Sequence, residues 1–452
     1  MTRSSEHTRI RTVILGAAGR DFHDFNLLYR DDPATEVVAF TAAQIPDIDG
    51  RRYPAALAGP RYPDGIPIVS QDTLEELIVG QRVERAVFSY SDVSHAQVMA
   101  LAQRCLALGA EFVLPGPART MLRSTLPVVA VCAVRTGCGK SALARWIAAE
   151  LKARGRRVAV IRHPMPYGDL ERQAVQRFAT RADLDAAGCT AEEREEYEPH
   201  LEAGHVVFAG VDYMRVLMAA EHEADVIVWD GGNNDFPFVR PNLLVTVVDA
   251  WRPEQACGWH PGEAVLRAAD LVVVSKTDTA PEASTARAVA MARTLAPKAA
   301  VVRGLSQITL DDPARVRGRR VLAIEDGPTL THGGMSIGAG AIAARAVGAE
   351  LVDPRPHAPA ALRERLARYP DLGPVLPMLG YSAGDLALMA ETIAATPADL
   401  IVAGTPIDLA ALVTPDRPVV RARYAFSEAQ PGAIAPYLDG LLRRGAVRRG
   451  AT

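Results

Sequence analysis

The chain has 452 residues, 50 Lys and Arg against 53 Asp and Glu, a formal net charge of −3, 49% hydrophobic and 23% charged residues. That length exceeds one ordinary core and predicts two or three domains, while the near-balanced charge removes the electrostatic basis for nucleic acid or an anionic membrane as partner. No apolar run approaches the ~20 residues of a membrane span, and the polar stretch 1–9 lacks a signal-peptide core, so a cytoplasmic protein is expected.

In chain order, an apolar strand at 11–15 runs into the turn Gly16-Ala17-Ala18-Gly19 and a short helix. Further strands at 36–40, 86–90 and 112–114, with a helix over 94–109, make an alternating β/α pattern that predicts a Rossmann-like parallel sheet. The turn is a weak dinucleotide signal, because Ala18 stands at the middle glycine position and no acidic residue ends the second strand. It is expected to hold an anion or simply to pack. Arg20 and His23 follow it at the carboxyl edge of the first strand, where open α/β sheets bind ligands, and are candidate substrate contacts. Pro-rich stretches at 59–65 and 114–117 mark loops, the second placing a domain boundary near residue 126.

Residues 128–134, VVAVCAV, read as a buried strand that breaks into Arg135-Thr136-Gly137-Cys138-Gly139-Lys140-Ser141 and opens a helix. Strand, glycine loop and helix in that order are the context of a phosphate-binding loop. Gly137 and Gly139 reach backbone angles closed to other residues, so N–H groups of Thr136, Gly137, Cys138 and Gly139 can converge on an anion at the helix N-terminus. Lys140 supplies charge to the β- and γ-phosphates, and the Ser141 hydroxyl is a candidate magnesium ligand. Val134 replaces the usual first glycine. The loop resembles the deviant form with a second basic residue, which makes Arg135 a candidate γ-phosphate contact.

A strand at 157–161 ends in Arg162 and His163, candidates for an anionic acceptor. The charged run at 191–200 reads as a solvated helix ending at Pro199, with a magnesium-binding or lid role for its carboxylates as the alternative. Residues 225–230 lead to Asp230 at a strand end, the expected carboxylate of the magnesium shell. Strands at 243–249 and 271–274 continue the buried pattern, the latter reaching Ser275-Lys276-Thr277-Asp278. This resembles the base-reading N-K-x-D of GTPases with serine first, so Lys276 and Asp278 are nucleotide candidates and ATP or GTP both fit. A strand at 321–324 leads into a glycine-rich loop with Thr331 and His332, candidates for phosphate contact or proton transfer. Strands at 400–403 and 418–422 extend the sheet. Five scattered cysteines (Cys105, Cys132, Cys138, Cys189, Cys257) form neither a disulfide framework nor a zinc site.

The expected fold is thus α/β: a Rossmann-like domain over 1–126, a P-loop nucleotide-binding core over 127–300 with a deviant Walker A loop, and its α/β continuation over 301–452. The series GAAGRDFHDFN, VRTGCGKS, EEYEPH, DGGNNDFPF, SKTD and EDGPTLTHGGM is similar to the cyclic 2,3-diphosphoglycerate synthetases. The resemblance implies a ligase using ATP and magnesium, with potassium, to close 2,3-diphosphoglycerate into an intramolecular phosphoanhydride. It implies a small anionic phosphorylated substrate and a homodimer. Arg135, Lys140, Asp230 and His332 would carry the catalysis, with Arg20, His23, Arg162, His163, Thr331 and His332 on the substrate. Phosphate oxygens are already nucleophilic, so cationic positioning, not a strong base, is the dominant demand. The alternatives are a GTPase switch or metallochaperone-like NTPase, and an ATP-dependent ligase or kinase acting on another small anionic acid.

Overall fold

The protein is represented by a computed structural model that describes residues 9–17, 19–42, 50–163, 168–232, 234–331 and 334–449. Its first sheet holds strands β1 (Ile10–Leu15), β2 (Thr35–Ala42), β3 (Arg52–Tyr53), β4 (Ile66–Ser70) and β5 (Arg85–Phe88), with a short β6 (Val93–Ser94) apart from it and then β7 (Glu111–Val113). The order is β3-β4-β2-β1-β5-β7, parallel except at the β3·β4 edge. With β1 central and neighbours on both sides, its carboxyl end is a topological switch point. The expected parallel sheet is present.

The second sheet begins with β8 (Val128–Ala133), β9 (Val158–Arg162), β10 (Gln176–Phe178), β11 (Val206–Ala209), β12 (Val226–Asp230) and β13 (Leu243–Asp249). A short β14 (Trp259–His260) follows, then β15 (Leu271–Ser275) and β16 (Ala300–Leu310). Strands β9, β12, β8, β13, β15 and β16 lie side by side in parallel. Both faces are covered, so β8, β12, β13 and β15 are buried at every residue and read as continuous apolar runs. The helix Lys140–Ala153 lays Leu143, Ile147 and Leu151 on one face at helical spacing, each fully buried and each contributing about 2 kcal/mol.

The C-terminal third adds β17 (Arg320–Glu325), β18 (Glu350–Leu351), β19 (Leu376–Pro377), β20 (Leu400–Gly404) and β21 (Val419–Glu428). Strands β21, β20, β17 and β18 are parallel to one another, while β21 joins β16 antiparallel over seven residue pairs, from Gly304·Glu428 to Leu310·Ala422. One continuous sheet of thirteen described strands results. The sequence reading extended the sheet but missed the long strand β16, whose half-exposed alternation lacks the all-apolar signature of its neighbours.

A second difference concerns the charged run. The helix spans Ala191–Glu202, continues through Pro199, and buries Glu193, Tyr197, Glu198 and His200. Pro199 forfeits one backbone bond, and packing outweighs that loss: Tyr197 stacks on Phe178 at 5.0 Å, and a capping box with Thr190 secures the N-terminus. Among the described residues, no helix is long and apolar enough to cross a membrane.

Candidate active site

The loop between β8 and the helix Lys140–Ala153 takes positive φ at Gly137 (80°) and at Gly139 (93°), which caps the helix in left-handed geometry. Its carbonyls are held from one side. Arg252 Nη2 donates to Thr136 O at 3.2 Å, Lys276 Nζ to Gly137 O at 2.7 Å and Ser275 Oγ to Cys138 O at 2.6 Å. Because a trans peptide directs its N–H opposite to its C=O, the N–H groups of Gly137, Cys138 and Gly139 face away from those donors. Together with the helix dipole they form an anion cradle.

At the floor lies Asp230, the last residue of β12, fully buried. Lys140 Nζ is 2.6 Å from its Oδ1, while Arg162 Nη1 at 2.6 Å and His200 Nε2 at 2.9 Å share Oδ2. Burial alone would raise its pKa, but Arg162, Lys140 and His200 more than reverse that and hold the carboxyl well below its usual range. Burial lowers Lys140 and brings His200 down to about 4, so the imidazole is neutral. Arg162 also pairs with Glu196. Lys140 Nζ and Arg162 Nη1 each lie 3.4 Å from Ser141 Oγ. One hydroxyl and one ionised carboxylate are the protein oxygens expected around a magnesium ion that keeps most of its coordination for phosphate and water. Among the described residues no group of three or more His, Cys, Asp or Glu stands ready to hold a metal by itself.

The other predicted residues are distributed as follows. Arg135 is buried, its Nε 2.7 Å from Asp92 and its guanidinium 3.3 Å from the ring centre of Trp259. Arg20 is buried in ion pairs with Asp235 and Asp24, and donates to Phe236 O at 3.0 Å. His23 stacks on Phe238 at 4.3 Å, and its Nε2 meets Thr120 O at 2.7 Å. His163 packs against Gly19 and Gly232, where a Cβ would lie 2.7 Å and 3.0 Å from its ring. Burial brings both imidazoles down to about 3, with Arg162 adding to the effect at His163. Thr331 donates to Gly327 O, and His332 lies outside the described residues. Lys276 pairs with Asp249 at 2.8 Å, with Met335 Sδ 3.6 Å away, so the C-terminal glycine-rich loop reaches the phosphate loop. Asp278 accepts from Ser306 N at 3.0 Å.

Several residues here escaped the sequence reading. Glu196 and His200, one helical turn apart, converge on Arg162 and Asp230. Their i, i+4 spacing inside EEYEPH was the available signal. Glu195 on the same helix accepts from Tyr381 at 2.9 Å and Thr405 at 3.4 Å. Burial and the neighbouring Asp326 push its pKa well up. Asp92 had no local signal at all.

A strand, a glycine loop ending in Lys-Ser, a helix, and an aspartate on the adjacent parallel strand define a P-loop NTPase-type α/β protein. Comparison with known proteins takes this further. The chain is 52% identical over 425 residues to arginine synthetase ArcE of Thermococcus kodakarensis, covering 94% of this chain and 95% of that protein. It belongs to the family of that synthetase. No family profile matches it. Among solved structures, LpxK of Aquifex aeolicus in complex with ATP aligns with a TM-score of 0.44 at 12% identity, over 82% of this chain and 99% of that one. The hydrogenase maturation factor HypB of Archaeoglobus fulgidus aligns with a TM-score of 0.26 at 17% identity, over 46% and 89%.

Proposed function

We propose that the protein is an ATP-dependent synthetase that phosphorylates an oxygen of a small zwitterionic acceptor and then exchanges that phosphate for nitrogen, with arginine as product. The observation that carries this reading is the charge around the phosphate loop. Arg20 and Arg162 are each neutralised by two carboxylates, and His23 and His163 are neutral. Glu195, on the same helix as Glu196, is pushed toward the neutral acid by burial and by Asp326, so it adds no positive charge to the site. A polyanion would have to break buried ion pairs to bind there, whereas a substrate bearing an ammonium group would not. The name of the Thermococcus relative agrees with that preference.

A guanidinium product dictates the chemistry. The ureido oxygen of citrulline attacks the γ-phosphorus, the bond to the ADP oxygen breaks, and ADP leaves. Ammonia then adds to the ureido carbon, the carbon–oxygen bond breaks, phosphate departs with that oxygen, and the excess proton passes to phosphate or solvent. The N–H groups of Gly137, Cys138 and Gly139, with Lys140, cradle the nucleotide phosphates, and Arg135 neutralises charge developing on the γ-phosphoryl group. Ser141 and Asp230 would hold magnesium, which supplies charge neutralisation between the phosphates. Lys276 and Asp278 are the candidate base contacts, with ATP as the nucleotide.

One observation favours a second reading, the closure of 2,3-diphosphoglycerate into its cyclic anhydride: six motifs occur in the order of that family. A single experiment separates the two. Purified protein is given ATP, magnesium and potassium with citrulline plus ammonium, or with 2,3-diphosphoglycerate, and followed by phosphorus NMR and arginine analysis. Arginine formed in step with phosphate, and lost in Lys140→Ala, supports the first reading. A new anhydride signal moves the assignment to the second, and acceptor-independent GTP hydrolysis to a nucleotide switch.

A further inference from the structure

The segment that leaves the first sheet after β5 contributes a side chain, Asp92, to the phosphate loop. The segment after β5 leaves the sheet at its carboxyl edge and is stitched to the P-loop core by the antiparallel pair β6·β14 and by a bond from His95 N to Gly258 O at 2.9 Å. Asp92 sits immediately before β6 with φ 62°, a left-handed conformation that a non-glycine residue adopts at a cost of about 1 kcal/mol. Its N–H donates to Asn234 Oδ1 at 2.8 Å and His260 O at 2.9 Å, which holds that conformation. Asn234 in turn donates to Val134 O at 3.0 Å, at the mouth of the loop.

The carboxylate so placed is buried, and it has two partners on consecutive loop residues. Oδ1 is 2.7 Å from Arg135 Nε, and Oδ2 accepts from Thr136 Oγ1 at 2.7 Å. Trp259, one strand away, covers the guanidinium face at 3.3 Å. With Nε in an ion pair with a carboxylate and the plane held against an indole, the direction of the two terminal nitrogens of Arg135 is set before any nucleotide arrives. The Thr136 hydroxyl fixes the rotation of the residue whose carbonyl Arg252 holds from the other side.

We propose that Asp92 is a positioning residue of the phosphate loop: it acts from the N-terminal sheet, through Arg135 and Thr136, to pre-set the cation that meets the γ-phosphoryl group. The N-terminal sheet is then a working part of the nucleotide site and not an appended binding domain. The inference rests on the P-loop reading above. A residue that aligns a transition-state contact changes kcat more than KM.

The test compares full-length Asp92→Asn, Thr136→Val, Arg135→Ala and the double variants Asp92→Asn/Arg135→Ala and Asp92→Asn/Thr136→Val. Phosphate release from magnesium ATP is measured with citrulline and ammonium, alongside thermal unfolding. Asp92→Asn is expected to lower kcat at least ten-fold with KM for ATP within about three-fold, and to add less than two-fold on the Arg135→Ala background. Thr136→Val, a milder change that needs no buried charge removed, is expected to lower kcat about three-fold and to add nothing to Asp92→Asn. Multiplicative effects, or Asp92→Asn and Thr136→Val within two-fold of the parent, overturn the proposal. Lys140→Ala separates the two levels: if it binds and turns over ATP as the parent does, the P-loop reading itself has failed. If the parent shows no turnover, hydrogen exchange of the peptide 134–142 in the nucleotide-free protein decides, since Asp92→Asn must then speed exchange of the pre-set loop at least three-fold, and unchanged exchange overturns the proposal.

Discussion

Two glycine turns in this chain look alike and do opposite things. The turn after β1 has Gly16 and Gly19 at positive φ and opens the helix Arg20–Leu28, as the loop after β8 has Gly137 and Gly139 and opens Lys140–Ala153. In the first, the Asp21 carboxylate accepts from Gly19 N at 3.1 Å and Phe22 N at 2.7 Å, and the His163 ring packs on Gly19. The helix N-terminus is satisfied by its own chain. In the second, the first turn carries Lys140 and Ser141, and no acid lies there. A third case follows the first: Glu325, at the end of β17, accepts from Gly340 N at 3.1 Å and Ala341 N at 2.7 Å beneath the helix Ala339–Ala346. Glycines permit an anion cradle, but the sign of the neighbouring side chain decides whether a ligand or a carboxylate fills it.

The strongest way to break this contrast is to give the second turn the acid of the first. Ser141→Asp is expected to abolish binding of a fluorescent ATP analogue, a loss of about 10³-fold or ~4 kcal/mol, while thermal unfolding stays cooperative. Retained affinity would mean that charge at the helix start is not what separates the turns.

Next in size is Arg20→Met. It strands Asp24 and Asp235 in the interface between the first turn and the P-loop core, and about 3 kcal/mol of stability should vanish in urea unfolding at pH 8. The pH dependence has a definite sign. Burial has already pushed Asp24 up to about 7, with Arg20 opposing, so without Arg20 the folded state holds protons that the unfolded chain releases above about pH 4. Stability therefore falls as pH rises, and the deficit of the variant must be smaller at pH 5 than at pH 8.

Asp21→Ala removes the internal anion from the first turn and leaves its N–H groups unpaired, which should cost about 1–2 kcal/mol and leave ATP affinity unchanged. A change of ATP affinity would show that the two turns are coupled.

The smallest effect concerns His23. Its folded pKa of about 3 lies below the unfolded value, so its contribution to stability is present above about pH 6.5 and is lost as pH falls toward 3. His23→Asn, which can keep the bond to Thr120 O, should flatten the acid limb of the stability curve by about 1 kcal/mol between pH 6.5 and 5.5. An unchanged limb would place the acid sensitivity elsewhere.

Much of the local architecture was legible because it is local. Gly137 and Gly139 announce their backbone angles, and the apolar run of β12 ends on Asp230 because both faces of a parallel strand are covered and its carboxyl end is where a polar group is wanted. The helix Ala191–Glu202 was misread for an equally physical reason. A charged helix looks solvated from its composition, and only its partners, Arg162 and Asp230 on one side and Tyr381 and Thr405 on the other, make its carboxylates and imidazole interior groups. Arg20, Arg162 and His163 were expected to face an anionic substrate; Arg20 pairs with Asp24 one turn away and with distant Asp235, Arg162 with distant Glu196 and Asp230, and burial with the adjacent Arg162 keeps His163 neutral.

By itself, the sequence determined the alternating strands, the two glycine turns and the placement of Lys140 and Ser141 at the start of a helix. Those follow from hydrophobic period, backbone freedom and residue type within a few positions. Only the tertiary structure decided that Asp92 pairs with Arg135 and that Glu196 and His200 reach Arg162 and Asp230. Net charge at a site is a sum over neighbours, and the chain brings those neighbours together only when its sheets pack.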